Sequence, residues 1–236
     1  MKKWCFLSIV LLIIAFSGCK KDDSGGMEVA QMKLEEKLSK LDVPEVMKNS
    51  TNSYAETAVG CVDYVKGISD YFSWFDIPDD AQYQGLKSTQ GEVYTWSYGG
   101  FSIWETYNDT GSKYTWQVDI DGGAGRQKYL YSEEDYNGDN GRMEVSDYTT
   151  SDNDLIYSYV WYFNSAGDAT LTWQDAAGSF KYEVKSNIDL SGSAKMYSIG
   201  KLFYNFQWNS DGSGSCEYYD TDGSVILSDT WSVSDL

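Results

Sequence analysis

The sequence predicts an α+β fold, with N-terminal helices packed on a large, curved antiparallel β-meander that forms a half-barrel or an open barrel. Three observations carry that prediction. Apolar residues recur at helical spacing up to Pro78. From Gly91 to the end they recur at every second residue. One turn phrase then repeats through this second region. Pro78 is also the last proline, so nothing after it blocks strand pairing.

The helical region is 27–80. Met27, Ala30, Leu34, Leu38 and Leu41 fall on one helical face, with Glu and Lys between them. Asp42 reads as an N-cap, with Pro44 in the first turn and Glu45 three residues on. Tyr54, Ala58, Cys61, Val65, Ile68, Phe72 and Phe75 then recur in alternating steps of four and three. A stripe of that kind packs on the protein's own sheet more readily than on a coiled-coil partner. Pro78, Asp79 and Asp80 end it.

The region 81–236 reads as the meander, one domain with 27–80. Tyr114, Trp116, Val118 and Ile120 alternate with polar residues, as do Phe180, Tyr182 and Val184. Leu202, Tyr204, Phe206 and Trp208 share one face. The run 155–163, LIYSYVWYF, has bulk on both faces and predicts a central strand covered on both sides. The expectation is roughly eleven or twelve short strands. An aromatic, Asn or Asp, two residues, Gly, then Ser or Asp recurs at 107–112, 163–168, 208–213 and 219–224, and 174–179 lacks only the aromatic. A type I turn followed by a left-handed residue needs this chemistry: Asn or Asp accepts a local hydrogen bond, and Gly takes positive φ without steric cost.

Two of these turns, Asn209–Ser213 and Asp220–Ser224, also look like halves of a calcium loop. The strand between them has about seven residues of about 3.3 Å each, which puts the turns at opposite ends of the sheet. Each alone offers two or three oxygens, whereas calcium takes about six to eight. At Asp135, Asn137 and Asp139 the alternation is right, but the glycine comes one place late and Ser146 stands where a closing glutamate belongs. The reading is hairpin turns and no metal.

The chain opens with Lys2 and Lys3, an apolar run from Trp4 to Phe16, then Ser17, Gly18 and Cys19. This resembles a bacterial lipoprotein signal with its lipobox, departing from it at Phe16, where most have Leu. The resemblance implies a leader of 1–18, cleavage before Cys19, and lipid on the Cys19 sulfur and its new amino group. The implied partner is a lipid bilayer, reached through acylated Cys19 and a tether over 19–26. Lys-Asp-Asp at 21–23 is similar to the export signal of Bacteroidota-type surface lipoproteins. That implies the outer membrane and the cell surface, with the periplasmic face as the alternative.

Charge and composition narrow the function. Removing Lys2 and Lys3 from the 18 basic residues leaves a formal charge of −20 against 36 acidic residues. Such a surface repels nucleic acid. Histidine is absent, which removes Ser–His and Cys–His catalysis and imidazole zinc sites. Once Cys5 leaves with the leader and Cys19 is acylated, Cys61 and Cys216 remain, a candidate disulfide in an oxidising compartment. No cofactor is implied, and no carboxylate is marked by its context as catalytic, so the chain reads as a non-enzyme. Trp104, Tyr162 and Tyr219 lie out of phase with the apparent core and stand as candidate ligand-binding aromatics. Flat exposed rings beside Asp, Asn and Gln grip sugars by stacking and hydrogen bonding. The expected role is non-catalytic binding of a glycan or another extracellular ligand. One alternative is a lipid carrier, since a curled sheet around helices resembles half-barrel lipoprotein carriers. The other is an accessory subunit that docks a partner protein.

Overall fold

A computed structural model of the chain describes residues 29–86, 91–150 and 152–235. The leader, Cys19, the tether and Met27 lie outside them. The helical region contains α1 (Leu34–Leu38), α2 (Glu45–Lys48), α3 (Ser53–Lys66) and a 310 segment over Gly67–Phe75 that continues from α3. Asn52 caps α3: its Oδ1 accepts the Tyr54 N–H at 3.0 Å and the Ala55 N–H at 3.3 Å. Two expectations are corrected. The first helix is short, with Leu41 buried beyond its end. Asp42 is not a cap. Pro44 takes that position in extended conformation, while the Asp42 carboxylate accepts from Val43 N–H at 2.8 Å and binds Lys48 at 2.7 Å.

Thirteen described strands follow: β1 (Gln82–Leu86), β2 (Glu92–Tyr98), β3 (Phe101–Asp109), β4 (Lys113–Asp121), β5 (Gln127–Asp135), β6 (Asn140–Ser146), β7 (Leu155–Phe163), β8 (Ala169–Asp175), β9 (Phe180–Ser186), β10 (Gly192–Ser198), β11 (Lys201–Trp208), β12 (Gly214–Tyr219) and β13 (Val225–Trp231). Each pairs antiparallel with the next in sequence order, and the sheet stays open with β1 and β13 as its edges. The periodicity missed β1, which is short and precedes Gly91. The repeated phrase does what its chemistry demands. At 209–213, Asn209 N–H donates to Ser213 O at 2.8 Å, Gly212 N–H donates to Asn209 O at 3.0 Å, and Gly212 has φ +92°. The turns at 209–213 and 220–224 cap opposite ends of β12.

One face of this sheet is covered. Ile103, Trp116, Leu130, Tyr159, Leu171 and Phe206 point inward and are fully buried. Strand β7 corrects a third expectation. Its Tyr159, Trp161 and Phe163 are buried, but Ile156, Val160 and Tyr162 on the other face are 45%, 47% and 50% exposed. Bulk on both faces marks its place mid-sheet, without a second layer.

The cover is a helical rod laid across the strands. Tyr54 meets Tyr218 on β12, Tyr64 meets Trp173 on β8 and Tyr182 on β9, Tyr71 meets Tyr157 on β7, and Trp74 meets Tyr129 on β5. From Tyr54 to Trp74, α-helical rises of about 1.5 Å and then 310 rises of about 2.0 Å span about 34 Å. From β12 to β5, strand spacings of about 4.8 Å also sum to about 34 Å. The apolar stripe of the sequence is therefore the seam of a rod that crosses eight strands. Cys61 on α3 and Cys216 on β12 both face this layer as free, buried thiols, so the candidate disulfide is not formed. Burial pushes the Cys61 thiol up to about 11.

Tryptophans over glycines complete the inner face. A Cβ on Gly141 would lie 2.1 Å from Trp161 Cζ2 and 2.4 Å from Glu133 O. Gly192 under Trp208 and Gly214 under Trp231 repeat the arrangement. Gly141→Ala must displace a packed indole or a strand backbone. It should lower stability by about 1–3 kcal/mol, read as a lower urea midpoint at unchanged slope.

Candidate functional site

The exposed face of the sheet carries the candidate site. Ile103 and Trp96 pack into the core, so their neighbours Trp104 and Thr95 point outward. Trp104 pairs with Thr95 on β2 and with Asp119 on β4. It is half-buried beside a groove of about 470 Å³. Gln82 and Gln84 from β1, Thr95 and Ser97 from β2 and Ser102 from β3 supply amides and hydroxyls around it. Asp80 is the one charged residue of its described lining.

The indole is braced from the side. Arg126 lies against the Trp104 ring at 5.1 Å from its centroid. Asp119, 4% exposed, holds that arginine: its Oδ2 accepts from Arg126 Nε at 2.7 Å and from Nη2, while its Oδ1 accepts from Gln117 Nε2 at 2.7 Å. The β4–β5 loop that delivers Arg126 is tied by Asp121, whose Oδ1 accepts the N–H groups of Gly123 at 2.7 Å and Gly125 at 3.0 Å. Both arginine contacts to one buried carboxylate leave the guanidinium little freedom to leave the ring.

The other two candidate aromatics are elsewhere. Tyr162 on β7 stands between Asn140 and Thr170, about 19 Å from Trp104 by strand spacing. Tyr219 on β12 is about 24 Å further on by the same spacing, and its hydroxyl donates to Glu217 at 2.6 Å. Glu217 also accepts from Asn205 Nδ2 at 3.1 Å. The three do not converge. Tyr131–Glu133 and Tyr94–Glu92 repeat the same two-residue tyrosine-to-glutamate bond. The β1 wall of the groove was missed because β1 was missed. The alternation Gln82, Tyr83, Gln84 is the signal that marks it.

Charged groups with unusual chemistry lie on the opposite, covered face. Glu105 on β3 is fully buried, with no hydrogen-bond partner for either oxygen. Burial raises its pKa well above the carboxylate range, and Asp76 adds to the rise. Glu134 on β5 is pushed up to about 7 by burial, although its Oε1 accepts the Lys33 N–H at 2.7 Å. The acidic turns are hydrogen-bonded locally. Asp211 accepts from the Ser213 hydroxyl at 2.7 Å and N–H at 2.9 Å, and these bonds hold its carboxyl below its ordinary value. Asp135 accepts from the N–H groups of Asn137 and Asp139 and from Asn140 Nδ2. Among the described residues no group of three or more His, Cys, Asp or Glu is placed to hold a metal. No described helix is long and apolar enough to cross a membrane. No protein-family model matches the chain, and no curated protein does.

The raised carboxyls of Glu105 and Glu134 set a pH dependence. A carboxyl whose pKa rises on folding binds its proton more tightly in the folded state. Its contribution is complete below the ordinary carboxylate range and is lost as pH climbs through the raised value. Urea midpoints should therefore fall between about pH 5 and 8, and Glu134→Gln should flatten that fall. A midpoint that rises with pH over this window would contradict the assignment.

Proposed function

We propose that this chain is a lipid-anchored outer-membrane protein whose domain binds an extracellular glycan without catalysis. Acylation at Cys19 ties it to the bilayer, and the surface-export run after it favours display on the cell face. The observation that carries the binding role is the Trp104 groove. A braced indole stands among uncharged amides and hydroxyls, the combination that stacks on a sugar ring and bonds its hydroxyls. The acids with raised pKa values, Glu105 and Glu134, sit under the helical layer and away from this groove, which supports a non-catalytic role.

In this reading the sheet is a shallow, open half-barrel wall. The match between rod length and strand spacing supports shallow curvature. It also weighs against a lipid carrier, because Ala55, Ala58, Cys61 and Val65 of α3 fill the inner face that an acyl chain would need.

Binding is tested with the soluble domain lacking Cys19, screened by affinity electrophoresis against neutral polysaccharides. Trp104→Ala should weaken binding by about tenfold or more, the worth of a stacked ring. Wild-type protein that migrates unretarded in every gel would sink the glycan reading. Display is tested separately: protease added to whole cells should remove the domain, and full protection would place it on the periplasmic face.

A further inference from the structure

A second groove lies about 38 Å from Trp104 by strand spacing, where β10 to β13 meet the turns at 187–191 and 209–213. Its volume is about 390 Å³. It sits between two copies of one structural unit. Asn187, Ser191, Gly192 and Trp208 recur as Asn209, Ser213, Gly214 and Trp231. Their bonds recur as well. Asn187 Nδ2 donates to Ser191 Oγ at 2.8 Å, and Asn209 Nδ2 to Ser213 Oγ at 3.0 Å. Trp208 Nε1 donates to Leu190 O at 2.9 Å, and Trp231 Nε1 to Gly212 O at 2.7 Å.

The lining of this groove is uncharged throughout its described residues, on a chain of formal charge −18. The nearest turn carboxylates, Asp189 and Asp211, accept from the Ser191 and Ser213 hydroxyls at 2.6 and 2.7 Å. At the side of the groove, Gln207 is exposed and pairs across the strands with Ser193 and Ser215. The carboxylates of Asp189 and Asp211 are turned to their own turn hydroxyls and the lining itself offers a cation no charged partner, while an anionic ligand would meet a field of the wrong sign. What remains is a neutral ligand dense in hydroxyls.

We infer that this groove is a second site for the same class of ligand as the Trp104 groove, and that one long neutral polysaccharide chain engages both. The inference rests on the glycan reading above. It adds a second contact and a chain-length requirement. Each hairpin advances about 9.6 Å across the sheet, so equivalent groups recur along the sheet as sugars recur along a linear polymer. Once one groove is filled, the second binds the same chain at high effective concentration.

The test compares wild type, Trp104→Ala, Gln207→Ala and the groove-blocking Ser215→Trp. The ligands are soluble starch, laminarin, mannan and xylan, each with short oligosaccharides cut from it. Equal urea midpoints of Gln207→Ala and wild type exclude a folding defect. Wild type should take two short oligosaccharides per chain, and each single-groove variant one. Polymer affinity should fall at least about tenfold in every variant. One site in wild type, lost in Trp104→Ala and unchanged in both other variants, would overturn the second groove and leave the first reading standing. Loss in Gln207→Ala and Ser215→Trp with Trp104→Ala unaffected would support the second groove and reject the first. Wild type that binds no polymer at all would overturn both.

Discussion

A helix of fixed rise laid across strands of fixed spacing is the constraint on which the rest of the molecule depends. A lone sheet cannot persist in water unless one face is buried. Here a single rod of α3 and its 310 continuation does the covering, from β12 to β5, through edge-to-face aromatic contacts each worth about 0.5–1.5 kcal/mol beyond the area they bury. Because the rod occupies one face, the other face stays open to solvent over its whole width. The Trp104 groove is a consequence of that asymmetry.

The outer face is not a hydrophobic surface left uncovered. Tyr131 and Tyr219 each bond a glutamate two residues away on the same strand face. Glu133 adds Lys113 at 2.7 Å and Arg142 at 3.4 Å. These contacts are partly exposed and contribute little stability singly. Their effect is to fix side-chain directions across a broad surface, so that uncharged stretches between them have defined shapes.

Much of the architecture was legible in the residues. Alternation located most strands, and the repeated Asn/Asp–Gly phrase located their turns, because each turn needs a specific donor, acceptor and left-handed position. Legibility failed where local signals were ambiguous. Asp42 beside Pro44 looks like a cap, but a four-residue helix held by tertiary contacts ignores the pattern. LIYSYVWYF cannot say how many of its faces are covered, since that depends on how much helix exists elsewhere. The free thiols at Cys61 and Cys216 depend on side-chain directions in two elements that no spacing reveals. Of the candidate site, Trp104 was visible as an aromatic out of phase. Its brace, Asp119 and Arg126, was not, because it is assembled from two strands and a loop. The second groove had a readable trace in the recurrence of Asn, Ser-Gly and Trp at a hairpin's length.

The rod also sets a ceiling on growth. A meander of near-identical hairpins lengthens easily by duplicating one unit, since every new strand needs only its neighbour. The rod does not lengthen with it. Strand β13, already beyond the contact of Tyr54 with β12, is exposed at all but its last residue. One more hairpin would add outer surface and an inner face with nothing to shelter it. In lineages of this fold, strand number and rod length should therefore change together, a hairpin of sheet for roughly two turns of helix.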